Sequence, residues 1–149
     1  MEVDRLELGA GGGLVGLALA SALGPSSSSH IEITDQDHMF ELMRTNIALN
    51  NLSSSVVDAS VLDWGTPLPG RKQPDILLAA DCVYFEPAFP LLLQTMTELI
   101  GSHTVCYFCF KRRRRADLRF VKDAKKLFKV EDVTDDPERN QWSREQLFL

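Results

Sequence analysis

Within its first sixteen residues the chain carries Glu7-Leu-Gly9-Ala-Gly11-Gly-Gly13-Leu-Val-Gly16, between an apolar strand and an apolar helix. A turn this dense in glycine costs chain entropy that an ordinary connection has no reason to bear. Glycine is required where the chain turns with positive φ and where backbone must approach a ligand with no side chain between them. The helix that follows directs its free N–H groups into the loop. A nucleotide-cofactor site is therefore the leading expectation for this end of the chain.

The glycines fit two registers. Gly11-x-Gly13-x-x-Gly16 fits the dinucleotide fingerprint of a dehydrogenase. Glu7-x-Gly9-x-Gly11-x-Gly13 is similar to the loop of S-adenosylmethionine methyltransferases. The loop alone leaves both open.

The rest of the chain sets the context. Val3–Leu8 reads as the first strand and Gly13–Leu23 as a helix closed by Gly24-Pro25, followed by a low-complexity loop at Ser26–Ser29. His30–Thr34 reads as strand 2, about Asp37–Leu49 as a helix and Val56–Val61 as strand 3. Asp75–Ala80 is the continuous apolar run of a central parallel strand. A helix over about Pro87–Ile100, strand 5 at Thr104–Phe110 and a basic amphipathic helix at about Ala116–Phe128 follow. Two weak strands are expected near Lys129–Val133 and Gln146–Leu149. Alternating strands and helices predict one α/β domain over residues 1–149, a mostly parallel sheet with helices on both faces. Cofactors bind such sheets outside the carboxyl ends of the strands.

Composition narrows the class. An apolar share of 44% and a charged share of 25% are ordinary for a globular protein, and no apolar run approaches the ~20 residues of a membrane span. The first residues are acidic and do not resemble a secretory signal, so a cytoplasmic protein is expected, with a nuclear one as the alternative. Three cysteines, Cys82, Cys106 and Cys109, suit a reducing compartment. Cys106 and Cys109 form a C-x-x-C, but inside a strand they face opposite sides of the sheet, which argues against a redox pair or a zinc knuckle. The histidines have no metal-ligand spacing, and no metal is expected.

The net charge of −5 hides an asymmetry: residues 111–126 carry nine Lys/Arg against two Asp, a local +7 that leaves −12 elsewhere. So short a basic segment does not predict general nucleic-acid binding. Within it, Lys111-Arg-Arg-Arg-Arg115 reads first as a solvated turn, with a docking patch for an acidic or RNA-bearing partner and a nuclear import signal as further readings.

Chemically suggestive residues follow the strands. Asp35, 19 residues after Gly16, can accept both hydroxyls of an adenosine ribose. Asp63-Trp64 after strand 3 suits an adenine, the acid accepting from the exocyclic amine and the indole packing on the base. Asp81-Cys-Val-Tyr84 after strand 4 places an acid and a phenol where they can flank an incoming amine.

Together with Ile33-Thr-Asp-Gln36, Asn46-Ile-x-Leu-Asn50, Leu62-Asp-Trp-Gly65 and Ala80-Asp-Cys-Val-Tyr-Phe-Glu-Pro87, the glycine loop resembles the seven-β-strand methyltransferases. More narrowly, the chain resembles the branch that methylates lysines of translation factors and chaperones, above all its fungal members acting on elongation factor 1-alpha. The resemblance implies a Rossmann-like seven-stranded sheet and S-adenosyl-L-methionine as cofactor. It implies methyl transfer to a lysine of a protein substrate, a translation elongation factor such as elongation factor 1-alpha. The cofactor-binding set is then Glu7, Gly9, Gly11, Gly13, Asp35, Asp63, Trp64 and Asp81. The catalytic pair is Asp81, orienting the amine, and Tyr84, walling its channel.

Members of that branch carry several dozen residues before strand 1, including a Trp-containing segment that helps close the pocket, whereas this sequence opens at strand 1 and runs to Leu149. An N-terminally truncated form of the fold, with activity in question, is the corresponding expectation. The rival readings are a non-catalytic or impaired cofactor-fold binding module and an NAD-dependent oxidoreductase. The latter lacks room for a substrate domain. A monomer is expected.

Overall fold

Parallel strands need their apolar residues covered on both faces, and the chain supplies a helix after nearly every strand. In the computed structural model, which describes residues 3–24 and 28–149, β1 (Asp4–Leu8) leads through the glycine loop into α1 (Leu14–Leu23). There follow β2 (His30–Asp35), α2 (Asp37–Leu49), β3 (Val57–Val61), β4 (Ile76–Ala80) and, after a 3-10 turn at Glu86–Ala88, α3 (Phe89–Leu99). β5 (Val105–Lys111), α4 (Arg115–Leu127), α5 (Arg139–Arg144) and β6 (Leu147–Phe148) complete the chain.

The sheet order is β3-β2-β1-β4-β5-β6, parallel except for the β5–β6 pair. β1 pairs with β2 on one side and with β4 on the other, so the chain reverses its direction of winding at β1. The carboxyl ends of β1, β2 and β4 therefore meet at the switch point.

Register explains how the two layers are filled. Parallel partners share a face, and Leu6 pairs with Leu77, which pairs with Cys106. That face carries Leu6, Leu8, Leu77 and Ala79, and it buries Leu92, Met96 and Leu99 of α3 and Phe120 and Ala124 of α4. Phe120 meets Phe89 edge-on at 5.4 Å and stacks on Phe108 at 5.3 Å. On the opposite face Glu7 pairs with Ile33, and Ile31, Ile33 and Val57 pack with Leu17 and Ala20 of α1 and Met43 of α2. Tyr107 and Cys109 lie on that second face, opposite Cys106, so the C-x-x-C is split by the sheet. All three cysteines are free thiols.

The described residues form six strands of the expected mostly parallel, Rossmann-like sheet, and two expectations are corrected. Lys129–Val133 forms no strand: β6 already occupies the edge of β5, and Val133 N–H instead donates to the Leu149 carbonyl oxygen at 3.1 Å. The six-residue α5 appears where sequence periodicity gave no helix, because so short a segment carries no apolar repeat. Gly24 caps α1 with φ +71°, while Pro25, Ser26 and Ser27 of the expected helix stop and low-complexity loop lie outside the described residues. No helix among the described residues is long and apolar enough to cross a membrane.

Candidate functional site

The glycine loop is held open by its neighbours rather than by its own side chains. Gly9, Gly11 and Gly13 have φ of +59°, +57° and +86°, a region that side chains with a Cβ enter at a cost. Ala10 N–H donates to the Thr34 carbonyl oxygen at 2.9 Å, and Thr34 Oγ1 donates to the Glu7 carbonyl oxygen at 2.7 Å. Asn46 Nδ2 donates to the Gly12 carbonyl oxygen at 2.8 Å, tying α2 to the turn. Gly11 N–H donates to Asp35 Oδ2 at 2.7 Å, so the acid at the end of the neighbouring strand β2 fastens the loop.

Beside this loop lies a cavity of about 380 Å³. That volume is within the range of small-molecule sites. Its walls come from the ends of β1, β2 and β3 through Gly9, Asp35, Gln36, Leu62, Asp63 and Trp64. The segment after β4 and the start of α3 add Cys82, Tyr84, Phe85, Pro87, Ala88 and Leu91. A Cβ at Gly9 would stand 2.8 Å from Trp64 Cζ2, so the bare glycine is what lets the indole pack against the loop. Acidic and aromatic side chains share the lining, and two of its rings are open to solvent: Tyr84 is 61% exposed and Phe85 57% exposed.

The structure thus brings Gly9, Asp35, Asp63, Trp64 and Tyr84 of the expected site into one cavity. The remaining expected residues sit elsewhere. Glu7 is 2% exposed and faces the α1 side of the sheet, where its Oε2 accepts from Gly16 N–H at 2.8 Å. Burial pushes its carboxyl up to about 7. Glu7 braces the start of α1 from behind and does not reach the cavity. Gly11 and Gly13 shape the turn without lining the cavity. A Cβ on Gly13 would press on Ile33 Cδ1 at 2.7 Å, whereas one on Gly11 would meet nothing.

Asp81 is also absent from the cavity wall. It sits at φ +57°, its N–H donating to the Cys109 carbonyl oxygen at 2.7 Å. Its carboxylate is gripped by Arg113, Nη1 to Oδ1 and Nη2 to Oδ2, both at 2.7 Å. This guanidinium holds the Asp81 carboxyl below the usual carboxylate range. Arg114 donates from Nη2 to the Tyr84 carbonyl oxygen, and Arg119 pairs with Glu86. The basic run is therefore not simply a solvated turn: two of its arginines fasten the segment after β4 that supplies the cavity's aromatic wall.

Gln36, Leu62, Cys82, Phe85 and Leu91 were not among the expected site residues, nor were Arg113 and Arg114. All but Leu91 and the two arginines lie within the quoted motifs. Cys82 is buried, its thiol pushed up to about 12 by burial, and Sγ donates to the Leu8 carbonyl oxygen at 3.2 Å. It packs rather than reacts. Among the described residues no group of three or more His, Cys, Asp or Glu could hold a metal ion.

The geometry also separates the two glycine registers. Gly9, which belongs only to the Glu7-x-Gly9-x-Gly11-x-Gly13 register, lines the cavity. Gly16, which belongs only to the other, faces Ile33 and the Glu7 carboxyl.

Solved structures with the same fold include TrmN from Thermus thermophilus, with a TM-score of 0.61 at 21% identity over 82% of this chain and 36% of that one. Coclaurine N-methyltransferase bound to N-methylheliamine and SAH gives a TM-score of 0.56 at 18% identity over 72% of this chain and 30% of that one. Among curated proteins, the protein-lysine N-methyltransferase EFM6 of Saccharomyces cerevisiae is 38% identical over 87% of this chain and 58% of its own length. The protein N-lysine methyltransferase METTL21A of Danio rerio is 36% identical over 91% of this chain and 62% of its own length. The chain thus spans about three-fifths of these relatives. The family described as lysine methyltransferase matches residues 2–127, and with glycine loop, switch point and cavity in agreement the chain belongs to that family.

Proposed function

We propose that the protein transfers a methyl group from S-adenosyl-L-methionine to a lysine side chain of a protein substrate, a translation elongation factor such as elongation factor 1-alpha. The observation that carries this reading is the cavity at the switch point, where Gly9, Asp35, Asp63 and Trp64 converge from three successive strand ends in a lysine methyltransferase chain. The residues fit an adenosine. Asp35 keeps acceptor capacity beyond its bonds to Gly11 and Gln36, since a carboxylate offers about four lone-pair directions, and these can serve the ribose hydroxyls. Trp64 offers an aromatic wall for the base and Asp63 an acceptor for its amine.

When bound, S-adenosylmethionine supplies the electrophilic methyl, and the protein supplies position. The lysine must arrive without its proton. Packing of the substrate lysine onto the exposed rings of Tyr84 and Phe85 would desolvate the amine and so lower its pKa. Asp81, beside that wall in the chain, orients the neutral amine by accepting one of its N–H bonds. Gly9, Asp35, Asp63 and Trp64 would hold the cofactor's adenosine, while Asp81, Tyr84 and Phe85 would hold the amine after its proton has left to solvent. A cytoplasmic site of action accompanies this reading.

Calorimetry against S-adenosylhomocysteine and NAD, with radiolabel transfer to purified elongation factor 1-alpha, tests it. S-adenosylhomocysteine binds and NAD does not, and label appears on lysine. Heat from NAD alone overturns the cofactor assignment. Cofactor binding without transfer to that substrate overturns the substrate assignment.

A further inference from the structure

Two neighbouring arginines hold the two ends of the segment that carries the proposed chemistry. Arg113 takes both oxygens of Asp81 at 2.7 Å, and Arg114 donates to the carbonyl oxygen of Tyr84. Both are themselves anchored. Asp117, in the first turn of α4, is fully buried, and its Oδ2 accepts the backbone N–H of Arg113 and of Arg114, each at 2.8 Å. Arg113 Nη1 also donates to the Lys111 carbonyl oxygen at 3.2 Å. The grip on Asp81 is thus the outer end of a chain of contacts rooted in a buried carboxylate.

We infer that Arg113 is a positioning residue for the transfer: its two-pronged grip fixes the plane of the Asp81 carboxylate and so the direction from which the lysine amine is held. This rests on the reading of Asp81 as the group that orients the amine. The paired fork takes one lone-pair direction on each oxygen, Lys111 N–H donates to Oδ1 at 3.4 Å, and the remaining direction on Oδ2 is left for the amine. It also opposes rotation of the carboxylate about its χ2, which a single point contact would not do. A lysine at position 113 keeps the charge but not the fork. Misplacement of an orienting group costs rate while leaving a separate cofactor site intact.

The test uses the full chain with S-adenosylmethionine and elongation factor 1-alpha. The variants are Arg113→Lys, Arg113→Gln, Asp81→Asn and the double variant Asp81→Asn/Arg113→Lys. Both Arg113 variants are expected to lose roughly tenfold to a hundredfold in kcat. Adenosylhomocysteine affinity and melting temperature stay at the wild-type values. Adding Arg113→Lys to Asp81→Asn costs nothing more, because the arginine acts through the acid.

Wild-type kcat in Arg113→Lys overturns positioning by the fork. A fall in KM with kcat preserved overturns it as well, since the arginine would then merely compete with the substrate's cation. Wild-type kcat in Asp81→Asn removes the acid from the site and sinks the underlying reading instead. Carbon-13 NMR of the Asp81 carboxyl reads the same contact without turnover. Its titration must rise toward the ordinary range in both Arg113 variants, and an unmoved titration refutes the grip in solution.

Discussion

Glu7 gives the fold a pH dependence that can be worked out from its surroundings. Its carboxyl is almost wholly buried between β1 and the first turn of α1, where it accepts a hydrogen bond from Gly16 N–H. Burial raises its pKa from an ordinary 4.5 to about 7, the Gly16 bond works against that rise, and the Asp35 charge adds to it. Between these two values the unfolded chain has released the proton while the folded chain still holds it. Stability contributed by this group is therefore complete below pH 4.5, falls as pH rises toward 7, and is flat above. A separation of 2.5 pKa units at 1.36 kcal/mol each sets the loss at up to about 3 kcal/mol.

Glu7→Gln keeps an oxygen acceptor for Gly16 N–H and removes the titration. Its added amide protons shift stability by an amount that does not vary with pH, so the informative quantity is the difference between variant and wild type. That difference should move in the variant's favour by up to about 3 kcal/mol from pH 4.5 to 8. Urea unfolding at half-unit pH steps measures it. Parallel stability curves for the two proteins would refute the argument, since they would mean that Glu7 holds no proton that the unfolded chain has lost.

Other expectations follow from the cavity and the thiols. Asp35→Ala should weaken adenosylhomocysteine binding by about 1.5–3 kcal/mol, the scale of hydrogen bonds to a charged group, and calorimetry reads this directly. An unchanged dissociation constant would remove Asp35 from the ribose site. Gly9→Ala forces a Cβ to 2.8 Å from Trp64 Cζ2 at a φ of +59°, so adenosylhomocysteine affinity should fall and Trp fluorescence should change with it. Retained affinity with an unperturbed spectrum would show that the indole does not depend on the bare glycine. Cys82 and Cys106, both pushed up to about 12 by burial, should resist an aromatic disulfide reagent at pH 8 until the chain is unfolded. Rapid labelling of either in the folded protein would contradict their packing.

Much of the fold was legible because register and pattern agree. Ile76–Ala80 is apolar throughout, as a strand covered on both faces must be, and it lies beside β1 at the centre of the sheet. His30–Asp35 and Val57–Val61 are bounded by turns and recovered to within one residue. The end of the chain was not legible in the same way. Lys129–Val133 carries two β-branched valines that favour a strand, but a strand needs a free edge, and β6 takes the one that β5 presents. Strand formation there is decided by which segment wins the edge, a long-range contest that local pattern does not record.

At the site, residues that contact the cavity through their own strand end could be found from their place in the chain, and Asp35, Asp63, Trp64 and Tyr84 were. Glu7 shows the limit of that method. It belongs to the same motif, yet strand alternation turns its side chain to the face opposite Leu6 and Leu8, where it meets Gly16 and Ile33. In this chain the acid at that position holds the start of α1. Arg113 and Arg114 show the converse. Their composition suggests solvent, because four consecutive arginines dilute any signal that one of them is special. What singles out these two is the buried Asp117 four and three residues later, which fixes their backbone and aims them at the neighbouring strand end. In a run of like charges, the members with an acid at short helical spacing are the ones whose direction is set, and the loop they reach is found by asking which strand end lies next in the sheet.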